Sequence, residues 1–199
     1  MCIFIKIIHR GVIVISTGVD CNKFSLKKLE YSNSKPINLL FVGRLIQRKN
    51  IDKIIYAFEE IRNLIDCNLT IVGDGPDRKR LEKISKDVIF TGVVNNTEKY
   101  YKEADIFISP SQYGEGLQGT ILEAMSSGLT VIATNTKINR KLLSDERGIL
   151  IDTDTKSIVN GIKKAINSNR VKIANNCRKY VLDKYDWQNK VKEIIEVLK

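Results

Sequence analysis

Proline is scarce in this chain, three residues in 199, and histidine and tryptophan occur once each. A lone His9 offers no second imidazole. The four cysteines, Cys2, Cys21, Cys67 and Cys177, stand far apart, without a CxxC or other metal-ligand spacing. They are expected to be reduced thiols of a cytoplasmic protein, with no metal site. A long apolar run is missing as well. The best candidate, Ile3 to Ile15, is broken by Lys6, His9, Arg10 and Gly11, so neither a membrane span nor a signal peptide is expected. What is present, 43% hydrophobic residues with little proline, suits one well-buried core with appendages.

Acidic charge is in deficit: 33 Lys and Arg against 23 Asp and Glu give a formal charge of +10. Such an excess suits phosphate-bearing partners, or it is an ordinary Lys-rich solvated surface. The basic residues interleave with acidic ones, as in Asp77-Arg78-Lys79-Arg80 and Lys190 to Glu196, which favours the solvated surface. No nucleic-acid motif with interleaved aromatics occurs, so nucleic acid is not an expected partner. A peripheral contact with an anionic membrane at its inner face stays open.

Along the chain, Ile3–Ile8 and Val12–Ile15 read as two strands, or as a strand and a leader, and Lys23 to Lys35 as a polar linker. The pattern changes at Ile37. Ile37–Val42 is a continuous apolar run ending at Gly43, the mark of a strand covered on both faces. Ile51, Ile54, Ile55, Phe58, Ile61 and Leu64 then recur at helical spacing, with Asn50 as the expected cap. Strands at 69–72, 88–90, 106–108, 130–133 and 148–151 alternate with helices expected at 77–86, 97–104, 119–127, 138–144, 157–167 and 171–182. This alternation predicts an α/β fold, a doubly wound parallel sheet whose ligands sit beyond the carboxyl ends of the strands. Three parts are expected: a leader and linker over 1–35, the doubly wound α/β domain over 36–185, and a C-terminal helix over 186–199. The apolar stripe of that helix, Trp187, Val191, Ile194, Ile195 and Leu198, is expected to pack on its own domain, with part left for a partner.

The stretch Ser109 to Thr134, SPSQYGEGLQGTILEAMSSGLTVIAT, has the densest chemistry. Loop amides and a helix start near Gly119 make an anion, most naturally a phosphate, the expected guest. Glu115 overhangs this mouth from the loop, and Glu123 lies one turn inside the helix, on the face below Gly119. Two carboxylates near a diphosphate repel it by roughly 4 kcal/mol per pair of unit charges at about 4 Å. The loop Gly43-Arg44-Leu45-Ile46-Gln47-Arg48-Lys49-Asn50 brings three cations to the same sheet edge, and Arg44 and Lys49 are placed to offset the repulsion. Two motifs are decoys. Asp152-Thr153-Asp154 lies between a strand and a helix and reads as a cap rather than a metal-binding DxD. Gly73-Asp74-Gly75 lacks the third glycine of a dinucleotide fingerprint.

A set of short motifs now falls in register: Gly18-Val19-Asp20; Phe41-Val42-Gly43-Arg44-Leu45 with Lys49-Asn50; Val72-Gly73-Asp74-Gly75-Pro76; Phe90-Thr91-Gly92; Ala104-Asp105; Pro110-Ser111; and Glu115 ahead of Leu122-Glu123-Ala124-Met125. Together they resemble the C-terminal, donor-binding half of the retaining glycosyltransferases of family 4, which have the two-domain GT-B fold with Rossmann-like halves. The resemblance implies a nucleotide-diphosphate sugar as donor and no further cofactor. It implies that Arg44 and Lys49 grip the diphosphate and take up charge as the leaving group forms. The amides of Gly119 and Thr120 would bind the same group, with Gly43, Gly116 and Gln118 around it. It further implies that Glu123 accepts from the ribose hydroxyls, that Glu115 holds a hydroxyl of the sugar, and that Gly92, Val94 and Asn96 line the base pocket.

The chain departs from that pattern in three places. Gln118 stands where a second glycine is usual, and Lys137-Ile138 replaces a Gly-Gly pair. The N-terminal, acceptor-binding half is expected to be missing. This chain alone is therefore expected to bind the nucleotide sugar weakly and to transfer little or no hexose to a glycan or lipid-linked acceptor, and a separately encoded acceptor-binding domain is one explanation beside a chain that has been cut. The alternatives are a non-catalytic nucleotide-sugar-binding or scaffold module, and a fragment of a disrupted gene.

Overall fold

The computed structural model describes residues 3–8, 11–15, 17–26, 36–112 and 116–198. Ile3–Ile8 (β1) and Gly11–Ile15 (β2) pair antiparallel, with Ile3 opposite Ile15 and Ile8 opposite Gly11. Of the two readings of this segment, the pair of strands is the one observed.

The main sheet has six strands: Ile37–Val42 (β3), Cys67–Val72 (β4), Ile89–Gly92 (β5), Ile106–Ser109 (β6), Thr130–Thr134 (β7) and Gly148–Ile151 (β8). They lie in the order β5-β4-β3-β6-β7-β8, and each neighbouring pair is parallel. This is the doubly wound α/β arrangement that strand–helix alternation predicts. The helices are Ile51–Ile61 (α1), Arg78–Leu81 (α2), Glu98–Glu103 (α3), Gly119–Ser126 (α4), Lys137–Leu143 (α5), Thr155–Ile166 (α6), Arg170–Lys184 (α7) and Trp187–Leu198 (α8).

Strand pleating sorts the core into two layers. Leu39, Phe41, Ile71, Ile106, Ile108 and Ile132 point to one face and meet the apolar sides of α1 and α6. Leu40, Val72, Phe107, Val131 and Ala133 point to the other and meet α4 and α7. Every residue of β6 and β7 is buried, which explains their unbroken apolar runs: a strand with helices on both sides has no solvent face to mark with polar residues. Each fully buried Ile or Phe contributes about 1.5–3 kcal/mol.

Four local expectations need correction or completion. The helix read over 77–86 is α-helical only at α2, because Lys83 N bonds to Arg80 O and Ile84 N to Leu81 O, an i to i−3 pattern that tightens the chain out of the α-form. The expected linker does not begin at Lys23: Cys21 and Phe24 are buried in the second core layer, and Arg178 of α7 donates to the carbonyls of both. Residues 27–35 of that linker lie outside the described residues. The stripe on α8 is divided, with Val191 46% and Ile195 49% exposed while Trp187 and Ile194 are half-buried. Asp154, finally, is the N-cap of α6, accepting from Ser157 N at 2.9 Å, as the reading of Asp152-Thr153-Asp154 required.

Candidate functional site

The strand order reverses between β3 and β6. After β3 the chain turns to α1 on one face, and after β6 it turns to α4 on the other. A crevice must open where the two loops part, at the carboxyl ends of the strands.

On the β3 side, the loop leaves Val42 through Gly43, exposed Arg44 and buried Leu45, then makes a 3-10 turn over Gln47–Lys49. Arg44 has no side-chain partner among the described residues, and Lys49 is half-buried. The turn ends at Asn50, which is left-handed with φ 51° and 8% exposed. Asn50 precedes α1 as expected, yet its side chain does not cap the helix. Its amide reaches across the crevice instead, donating from Nδ2 to Pro110 O at 2.8 Å. A second strut joins the same loops, Gln112 N to Arg48 O at 2.8 Å. The basic loop and the loop after β6 are thereby fixed to one another.

On the β6 side, Ser109 Oγ donates to Gln118 Oε1 at 3.0 Å, tying the start of α4 to the strand end. Gln118 thus has a structural partner where a glycine would have none, and it occupies the N-cap without capping α4 through its side chain. The amides of Gly119 and Thr120 find no acceptor among the described residues, as the first turn of an uncapped helix leaves them. Among the described residues, a Cβ added to Gly116 or Gly119 would meet nothing within 4 Å. Ser111 is buried, its Oγ unpartnered among the described residues. Tyr113, Gly114 and Glu115 lie outside the described residues, so the expectation for Glu115 has no counterpart here.

The glycines of the neighbouring loops have a steric cause. Gly43 N donates to Val72 O and Leu45 N to Asp74 O, both at 2.9 Å, continuing the β3–β4 pairing past the strand ends. At Gly73, φ +127°, a Cβ would fall 2.0 Å from Gly43 O, and at Gly75 one would fall 2.3 Å from Leu45 O. Next along the edge, Gly73 N donates to Gly92 O at 2.9 Å. Gly92 is buried, Val94 half-buried and Asn96 exposed. The loops after β3, β4 and β5 therefore form one row, with residues 92–96 two strands from Arg44.

Glu123 is half-buried on α4. Burial pushes its carboxyl above the usual range, while a hydrogen bond from Tyr101 and the charge of Lys23 pull it back. Tyr101 donates to Glu123 Oε2 at 2.7 Å and is itself fully buried, which together with Glu123 holds its phenol well above the ordinary value. Sequence reasoning missed both Tyr101 and Lys23, because neither lies near Glu123 in the chain and no local spacing signals the meeting. Among the described residues no group of three or more His, Cys, Asp or Glu could hold a metal ion, and no helix is long and apolar enough to cross a membrane.

A family profile described as glycosyl transferases group 1 matches residues 36–168. In sequence the chain is similar to an uncharacterized glycosyltransferase of Methanocaldococcus jannaschii, MJ1607, with 31% identity over 212 residues, covering 98% of this chain and 54% of that protein. In structure it is similar to the C-terminal domain of a glycosyl transferase group 1 family protein, LpcC, of Francisella tularensis, with a TM-score of 0.73 and 26% identity. That match covers 85% of this chain and 100% of that domain. The fold also matches Anabaena Alr3699/HepE in complex with UDP and glucose, with a TM-score of 0.80 and 20% identity over 92% of this chain and 55% of that one. The chain spans about half the length of the curated relatives it matches, 54% and 51% for two of them.

Proposed function

Because the chain belongs to the group 1 glycosyl transferases, we propose that it is the donor-binding half of a retaining, metal-independent glycosyltransferase of family 4. It takes a nucleotide-diphosphate sugar in the switch-point crevice and serves transfer of the hexose to a glycan or lipid-linked acceptor. The observation that carries this reading is the pair of struts from Asn50 to Pro110 and from Gln112 to Arg48, both 2.8 Å, beside the unpaired amides of Gly119 and Thr120. They tie the cationic loop to the loop that leads from β6 towards α4, and a cationic loop met by a helix start is complementary to a doubly negative group.

In this proposal Arg44 and Lys49 grip the diphosphate and stabilise it as it leaves, with preorganised charge in place of a metal ion. Gly43, Gly116 and Gln118 shape the crevice, and the Gly119 and Thr120 amides complete the anion site. Glu123 accepts from the ribose, Glu115 from the donor sugar, and Gly92, Val94 and Asn96 flank the base. Transfer itself needs a second wall. Orienting two reactants is worth about 7–11 kcal/mol, so an acceptor-binding domain facing this crevice is part of the proposal. The open Val191 and Ile195 of α8 are consistent with a surface that such a domain covers.

Titration calorimetry with UDP-, GDP- and ADP-sugars tests the pocket and selects the base. Arg44→Ala and Lys49→Ala are each expected to weaken binding of the preferred donor by about 1.5–3 kcal/mol, the worth of a charge-assisted hydrogen bond. Unchanged affinity in both variants would remove the diphosphate assignment.

A further inference from the structure

The Glu123 carboxylate is met from two other elements. From α3, Tyr101 donates to Oε2 at 2.7 Å and reaches Thr120 O, at the start of α4, at 3.4 Å. From the N-terminal segment, Lys23 acts on the carboxylate by charge while pairing with Glu98 Oε2 at 3.6 Å. The Tyr101 ring has no freedom to turn away. Phe24 packs edge-on against it with centroids 5.4 Å apart, and Phe107 packs beside it at 5.9 Å. Arg178 secures the backbone that carries Phe24, donating to its carbonyl at 2.9 Å. The other oxygen, Oε1, accepts no hydrogen bond from the described residues, although Glu123 keeps some exposure.

We infer that Tyr101 is a positioning residue for ligand discrimination: it pins Glu123 through Oε2, so that Oε1 alone faces the crevice as an acceptor for a ligand hydroxyl. The inference rests on the donor-binding reading, which puts the nucleotide ribose at Glu123. A free carboxylate could rotate and use either oxygen, losing orientation with each rotamer it samples. A carboxylate fixed at one oxygen recognises one hydroxyl position, and a ligand without that hydroxyl leaves a partly buried charge unsatisfied. The phenol has a second effect. Burial favours protonated Glu123, and the Tyr101 hydrogen bond and Lys23 are the described groups that oppose it. The phenol, pushed far above its ordinary pKa, stays protonated and so remains a donor throughout the working range.

The test uses the full chain. Tyr101→Phe keeps the ring against Phe24 and Phe107 and removes only the hydroxyl. Binding of UDP is compared with binding of 2′,3′-dideoxy-UDP, and the Glu123 carboxyl is titrated by carbon NMR without ligand. Wild type is expected to prefer UDP by about tenfold, the worth of roughly one hydrogen bond, and Y101F to lose most of that ratio. In the same variant the Glu123 midpoint is expected to move upward, and the loss of affinity on acidification to begin at higher pH. A wild-type ratio with an unmoved midpoint in Y101F would overturn the role of Tyr101 and leave the donor reading standing. A wild type that binds UDP and its dideoxy analogue equally would overturn the ribose placement itself. If Y101F does not fold, biosynthetic 3-fluorotyrosine sharpens the same donor and is expected to lower the Glu123 midpoint; an unmoved midpoint would overturn the inference.

Discussion

Asn50 is the side chain on which the geometry of the crevice leans most directly, and its replacement separates two contributions. Asn50→Ala removes the Nδ2 donor and leaves Pro110 O, in a buried loop, without it, at a cost of about 1–3 kcal/mol. The variant also puts alanine at φ 51°. Asparagine tolerates the left-handed region through local hydrogen bonding, whereas alanine is disfavoured there by about 1–2 kcal/mol. Together these give an expected loss of about 2–4 kcal/mol, since part of the left-handed penalty already applies to asparagine. Asn50→Gly loses the same donor but adopts this conformation freely, at a backbone-entropy cost of at most about 1 kcal/mol. Urea denaturation of the three proteins is the assay. The expected order is wild type, then N50G, then N50A, with m-values alike. UDP affinity is expected to fall in N50G even where the protein stays folded, because the basic loop has lost one of its two tethers across the crevice. N50A within about 0.5 kcal/mol of wild type, the scatter of ordinary surface changes, would refute the claim that this bond holds the two lips together.

The glycines give a second contrast. Gly73→Ala would bring a Cβ 2.0 Å from Gly43 O at φ +127°, and thermal denaturation is expected to show a large loss, about 3 kcal/mol or more. Gly119→Ala meets nothing within 4 Å and gains helix propensity, so stability is expected to hold or rise by up to about 1 kcal/mol while UDP binding weakens; binding at wild-type strength would show that no ligand occupies that space. Glu123 supplies a pH dependence. Its pKa is raised in the folded protein, so its contribution to stability is complete below the ordinary carboxylate range and is lost as pH rises through the folded value. Glu123→Gln does not titrate, so its stability relative to wild type is expected to increase from about pH 4 upward and to level off above the folded pKa. Denaturation curves across that range decide it, and a wild type that gains on the variant with rising pH would contradict the burial argument.

Regular elements were legible because their patterns are local. A strand covered on both faces needs an apolar run, as in Ile37–Val42, and α1 needs its apolar residues on one side. The glycines at 43, 73 and 75 could be read as loop punctuation. That Gly73 and Gly75 must lack a Cβ, because the carbonyls of Gly43 and Leu45 pass 2.0 and 2.3 Å from where one would lie, is visible only with the strands in register. The α2 segment shows the opposite limit, since helical spacing continued past Leu81 while the hydrogen bonds tightened to an i to i−3 pattern.

By itself the sequence determined the parallel α/β alternation, the helix start near Gly119 and the cationic loop after β3, since these follow from periodicity and charge within a few residues. Tertiary structure alone decided which distant groups meet. It turned Asn50 from a helix cap into a cross-crevice tether, buried Val19, Cys21 and Phe24, and set Tyr101 against Glu123, 22 positions apart. The physical reason is that a side chain's partner is fixed by strand order and helix packing, and both arise from the whole buried core rather than from neighbours in the chain.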